Sequence, residues 1–373
     1  MTVATRRAAA LVVAICTVLP AGCAHTIART PPAREPHNIV LMIGDGMGVA
    51  QLTAARIEAG RLEMERLPVG GLESTWSASL LVTDSAASGT AYATGSKTLN
   101  GTVSMSPEGE PLETVLEHAE DRGMATGLVV TCSVTHATTA VFVAHVASRE
   151  DDIEIARQMA ASGVEVLFGG GRSFFLPRAE GGERDDGADL VAAMRERMPV
   201  ALSADEFRRL GATDRAAALL AGEQPPGARE RDPDLRELTE KALEVLSRDE
   251  DGLFLMVEGS QIDWAAHENE HDWLVDEVLD FDSAVGAVLD FAERDGRTLV
   301  IVTADHETGG YTLLEGSLER RAVTEPDFAC DEHTATMVPL LAYGPGSEAF
   351  GGIGDNAAVG RRLIDLVTAR PRP

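Results

Sequence analysis

The sequence predicts a doubly wound α/β protein, a three-layer α/β/α sandwich around a mostly parallel central sheet. Three observations lead there. Short apolar runs recur along the chain, amphipathic stretches at helical spacing lie between them, and residues with metal-binding or nucleophilic side chains gather where the runs end. A parallel strand covered on both faces reads as a continuous apolar run. Strands alternating with helices build a parallel sheet.

The elements follow in chain order. Arg6 and Arg7 precede an apolar run from Ala8 to Leu19 and a small-residue zone from Pro20 to Ala24, so residues 1–24 read as an export signal. That run is too short to span a membrane. The ending Ala21-Gly22-Cys23 resembles a lipoprotein box with Cys23 as the acylated residue, although Pro20 stands where such boxes usually carry Leu. Simple cleavage and a lipid anchor at Cys23 therefore both stand, and either implies a periplasmic or cell-envelope protein. Residues 25–36, rich in Pro and Arg without periodicity, read as a linker. A single domain is expected over residues 37–370. Its strand candidates are NIVLMI before Gly44, ATGLVVT before Cys132, GLFLMVE ending at Glu258, and RTLVIVTA before Asp305. Helices are expected over Pro111–Arg122, Asp151–Ser162, Leu235–Ser247 and Trp273–Arg294. Residues 172–231 and 312–329 are charge-rich with weak periodicity, and both read as insertions on the rim of the sheet.

Acidic residues outnumber basic ones by 60 to 32, for a formal charge of -28. Such a surface repels a phosphate backbone, so nucleic acid is excluded as a partner. Beyond the signal only Cys132 and Cys330 remain, enough for one disulfide or two free thiols, and free thiols are the expectation.

In open parallel sheets, ligands bind outside the carboxyl ends of the strands. Asp45, between glycines, follows the first strand candidate, and Asp305 and His306 follow the last. Each alone is ordinary turn chemistry. Glu258 ends a strand, and Asp263 and His267, four apart, share one face of the next helix, a spacing that suits zinc. His271, four residues on, is a rival ligand, and His333 precedes a further apolar strand. So many charges in one crevice call for multivalent cations. The mixed nitrogen and oxygen donors point to zinc, and an oxygen-only subset leaves room for magnesium. Ser85, where small residues begin a helix, is by itself an ordinary helix cap. Beside cations it becomes a nucleophile candidate, with a helix N-terminus to receive phosphate.

Taken together, MIGDGMG, TDSAASGTAYATGSKTLNG, THATTAVFVAHVASR, VLFGGGRSFF, MVEGSQIDWAAH, TADHETGG and EHTATMVPLLAYGPG resemble successive motifs of the alkaline phosphatases, in family order from His37 to about Pro345. The resemblance implies hydrolysis of small phosphate monoesters through a phosphoserine at Ser85, in a site of two zinc ions and one magnesium. It assigns Asp263, His267 and His333 to the first zinc, and Asp305, His306 and Asp45 to the second together with Ser85. Glu258, Thr138 and a bridging Asp45 would hold the magnesium, and Arg149 would clamp two phosphate oxygens. His136 and Trp264, near the implied magnesium and phosphate, stand where the best-known bacterial pattern often has Asp and Lys. A homodimer is a looser expectation, because the segment between His306 and His333 looks short for the family. Two rival readings are a phosphodiesterase or other phosphate-transferring enzyme on the same fold, and a phosphate-binding envelope protein without turnover.

Overall fold

The computed structural model describes residues 35–369, so the export signal, most of the linker and Cys23 lie outside the described residues. The strands in chain order are β1 (Asn38–Gly44), β2 (Val69–Ser74), β3 (Ala125–Ser133), β4 (Val166–Gly170), β5 (Val200–Ala201), β6 (Ala216–Leu219), β7 (Leu253–Gly259), β8 (Thr298–Thr303), β9 (Glu307–Thr308), β10 (Tyr311–Ser317), β11 (Ala322–Phe328), β12 (His333–Thr334), β13 (Val338–Tyr343) and β14 (Gly352–Asp355). Ten of them form one sheet in the order β14-β2-β13-β8-β1-β7-β3-β4-β6-β5. Within it β13 alone runs antiparallel, against both β8 and β2.

Helices cover both faces. Along β1, Ile39, Leu41 and Ile43 enter one apolar layer, with Tyr92 of the helix Ser85–Thr94 and Leu363 of the helix Asn356–Thr368. Val40 and Met42 enter the opposite layer, with Leu243 of the helix Leu235–Leu246 and Val285 of the helix His271–Asp295. Alternate side chains of a strand point to opposite faces, so a strand apolar throughout must sit between two helical layers. All seven residues of β1 are buried.

Residues 172–231 are not wholly a rim insertion: Val200–Ala201 and Ala216–Leu219 join the main sheet as its edge, β6 pairing parallel with β4. Residues 312–329 lie in a separate antiparallel hairpin of β10 and β11. ATGLVVT does not stop before Cys132, because β3 runs on through Ser133.

Register places the chemistry. Ile43 of β1 lies beside Glu258 of β7 and Thr303 of β8, and Val130 of β3 lies beside Glu258. The carboxyl ends of four neighbouring strands thus finish together, and Asp45, Glu258, Asp305 and the start of the His136 turn emerge at one edge.

Candidate active site

The turn after β1 is shaped by glycine. Gly46 has φ +70, and a Cβ there would lie 2.8 Å from Thr308 Oγ1 and 2.9 Å from Asp263 Cα, so the chain passes too close to its neighbours for any side chain. Its amide donates to Asp305 Oδ1 at 3.2 Å. Asp45 is thereby held fully buried, and both of its carboxylate oxygens lack hydrogen-bond partners.

Ser85 is the first residue of its helix and is not its cap. Asp84 caps it, accepting from the Ala87 amide at 2.9 Å through Oδ1. The Ser85 hydroxyl is therefore left for the crevice, where Oγ lies 3.3 Å from His306 Nε2. The second Asp84 oxygen accepts from the Gly101 amide at 2.8 Å and from Arg149 Nη1 at 3.2 Å. Arg149 is thus tethered to the residue beside Ser85, and its Nη2 lies 3.1 Å from His136 Nε2. Asp84 carried a legible signal, an Asp directly before a helix, but the sequence reading passed over it.

Asp263 and His267 share a face of the helix Gln261–His267, with His267 Nε2 3.3 Å from Asp263 Oδ2. His333, delivered by β12, brings Nε2 to 3.1 Å from His267 Nε2 and 3.5 Å from Asp263 Oδ1. The other nitrogens are committed: Nδ1 of His267 donates to the Asp331 carbonyl at 2.6 Å, and Nδ1 of His333 donates to the Thr83 carbonyl at 2.9 Å. Anchoring Nδ1 to a carbonyl sets the tautomer that offers the Nε2 lone pair to a cation. Thr308, also absent from the sequence reading, donates to Asp263 Oδ1 at 2.5 Å and lies 3.2 Å from His306 Nδ1.

His271 does not join them. A break at Glu268–Glu270 places it in the next helix, where its ring meets Tyr311 Oη at 2.7 Å and Glu58 at 3.1 Å. Spacing of four fixes a shared face only within one continuous helix.

His306, fully buried, lies 3.2 Å from Asp305 Oδ2 and 3.5 Å from Asp45 Oδ1. Beyond them sits Glu258, whose Oε1 has no partner, with the buried and equally unpartnered Thr138 hydroxyl. Trp264 is partly buried and meets the His136 ring edge-on, centroids 6.1 Å apart. Cys132 and Cys330 are both free thiols.

Crowded negative charge in a dry place shows in the proton affinities. Burial, with Asp305, Asp263 and Glu258 beside it, holds Asp45 well above the usual carboxylate range. Burial and Asp305 push Glu258 up to about 8, and burial and Asp263 push Asp305 up to about 6. Hydrogen bonding to Asp263 draws His267 up to about 9. Burial and Arg149 push His136 down to about 3.

Two of these groups fit zinc. Asp263, His306 and His333, and likewise Asp45, Asp305 and His306, place nitrogen and oxygen donors within 4.8 Å of one another, and the orphaned oxygens of Asp45 and Asp305 need a positive partner that no side chain supplies.

The family model described as "Alkaline phosphatase" matches residues 36–325. The chain is 35% identical to streptomycin-6-phosphate phosphatase of Streptomyces griseus, over 98% of this chain and 97% of that one. It is 35% identical to alkaline phosphatase 3 of Bacillus subtilis, over 88% of each. The solved alkaline phosphatase of the Antarctic bacterium TAB5 superposes with a TM-score of 0.83 at 34% identity, over 91% of this chain and all of that one. With Ser85, the paired donor groups and the tethered arginine assembled at one sheet edge, the chain belongs to the alkaline phosphatase family and is a metal-binding phosphoric monoester hydrolase.

Proposed function

We propose that hydrolysis proceeds through a phosphoserine at Ser85, in a centre where Asp263, His267 and His333 hold one zinc ion and Asp45, Asp305 and His306 a second. A third cation lies against Glu258 and Thr138, for which the family resemblance gives magnesium. The observation that carries this reading is the buried Ser85 hydroxyl, 3.3 Å from His306 Nε2, beside carboxylate oxygens without partners.

When bound, the zinc ions supply the positive charge that activates an oxygen nucleophile and stabilises the entering and leaving oxygens. The protein's own part is positioning. Ser85 presents Oγ from the first turn of a helix, where free amides and the helix dipole favour the phosphoryl oxygens. Asp84 fixes the Arg149 guanidinium so that its planar donor pair meets two non-bridging oxygens of the substrate. A dianionic monoester gains more from that clamp than a diester does, which favours monoesterase over phosphodiesterase. The presence of nucleophile and clamp together argues against a binding protein without turnover. Small phosphate monoesters are the substrate class, and streptomycin-6-phosphate, named for the Streptomyces relative, is one such ester.

Turnover of p-nitrophenyl phosphate should far exceed that of its bis-ester, and acid quenching should trap phosphate on Ser85. A chain that labels elsewhere, or prefers the diester, overturns the reading. We further propose export to the envelope, either with simple cleavage soon after Cys23 or with Cys23 as the lipid-bearing first residue, together with a catalytic domain over residues 37–370 and a homodimer. Mass spectrometry of the native N-terminus and light scattering test these.

A further inference from the structure

The donors at the third position are not those magnesium selects. Mg2+ prefers an octahedral shell of oxygens and keeps several waters, whereas thiolate and imidazole select zinc and its softer neighbours. Here Cys132, His136 and Glu258 each place a ligand atom within 4.8 Å of the others. Cys132 is fully buried near the end of β3, and its Sγ lies 3.9 Å from Glu258 Oε2. Its shorter contact is local, to the Ser133 carbonyl at 3.2 Å. A second observation is independent of the thiol. Glu258 Oε1, Thr138 Oγ1 and His136 Nδ1 are all buried without partners, and Glu258 and Thr138 have no exposed surface. Carboxylate, hydroxyl, imidazole and thiol in one pocket share a single common partner, a cation.

We propose that the third position takes a zinc-class cation, with the Cys132 thiolate as a ligand beside Glu258 and His136, in place of magnesium. The proposal rests on the reading of the cluster as a multimetal centre and deepens it. Ligation displaces the thiol proton to solvent, because a thiol bound to such a cation is deprotonated outright. It also moves a proton within His136. A guanidinium only donates, so Nε2 accepts from Arg149 and the ring proton sits on Nδ1. Once Nδ1 holds the cation, that proton resides on Nε2, and Arg149 turns from His136 while keeping its tether to Asp84. Cys132 also borders the apolar layer beneath the sheet, where a thiol acts as a small hydrophobe, and the spectrum of the loaded protein separates the two roles.

The test strips the full chain of metal and reloads it with Co2+ in excess Mg2+. Three cobalt equivalents should bind, the last bringing a near-ultraviolet thiolate-to-cobalt charge-transfer band. Cys132→Ser should lose that band and that equivalent, and His136→Asp should let magnesium displace the third cobalt. Wild type that binds two cobalt ions with magnesium at the third position, or three without the band, overturns the proposal even if Cys132→Ser fails to fold. Phosphatase activity assayed alongside keeps the outcomes apart: an active enzyme without the band sinks this inference alone, and a chain that takes up no cobalt sinks the multimetal reading beneath it.

Discussion

Two clusters of acidic side chains, one beside a long helix and one at the sheet edge, are treated oppositely. Beside the helix His271–Asp295, Arg231 donates to both Glu277 oxygens at 3.0 and 2.8 Å and to Asp280 at 2.6 Å. Trp273 Nε1 and the Ala228 amide complete the shell of Glu277 at 3.0 and 2.7 Å. At the sheet edge, both oxygens of Asp45 and one each of Glu258 and Asp305 accept no hydrogen bond, and the His306 imidazole lies 3.5 Å from Asp45 Oδ1 and 3.2 Å from Asp305 Oδ2. The first cluster closes its charges within the chain, and the second leaves them for ions. Neither a buried carboxylate nor one orphaned oxygen marks a metal site by itself, since Glu73 also leaves one oxygen unpartnered; several such oxygens converging on imidazoles do.

The sharpest way to break this contrast is to remove metal. Chelation should abolish turnover of p-nitrophenyl phosphate, and zinc should restore it; full activity after exhaustive stripping would overturn the account. The stripped chain should also respond to pH. Glu258 and Asp305 hold protons more tightly folded than unfolded, with folded values of about 8 and about 6. Their neutral forms favour the fold at low pH, and that contribution is lost as pH rises through about 6 and then about 8. Urea midpoints of the stripped chain should fall from about pH 5 to pH 9, and zinc should flatten or reverse the slope.

Arg231→Met strikes the closed cluster instead. Leaving Glu277 and Asp280 buried without their cation should cost about 3 to 5 kcal/mol of stability, in stripped and loaded protein alike. A loss appearing only in stripped protein would merge the two clusters into one network.

Arg149→Ala should cost about 2 to 3 kcal/mol in monoester kcat/KM and less for a diester. Equal losses would mean that the guanidinium does not read the dianion. The smallest effect is expected from His271→Ala: its ring is committed to Tyr311 and Glu58, so kcat/KM should shift by no more than about 0.5 kcal/mol.

Much of this was legible in the sequence where burial is two-sided. The continuous apolar runs of β1, β7 and β8 and the amphipathic helices Asp152–Ala161 and Leu235–Leu246 stand where periodicity placed them. The strand Ala216–Leu219 did not read as a strand, since an Ala-rich tetrapeptide favours helix and only its pairing with β4 and β5 extends it. At the site, the strand-end carboxylates and the Asp263–His267 pair follow from spacing. The rivalry of His271 was settled by a helix break that spacing does not reveal. Thr308 is a threonine of ordinary type to which only tertiary contact gives a role, whereas the capping half of Asp84's role was legible and its hold on Arg149 was not.

The one reversed strand has a consequence for how the molecule tolerates change. Because β13 enters the sheet at the edge where β8 leaves it, the chain departs after His306 and returns at His333 to nearly the same spot, its two ends clasped where Thr308 pairs with His333. Everything between, including the β10–β11 hairpin, is a side excursion with a single mouth. Lengthening such a loop adds closure entropy only slowly, about 0.6 kcal/mol for each doubling. Segments can therefore be grafted or pruned at residues 314–322 while the imidazoles at both ends of the excursion keep their places.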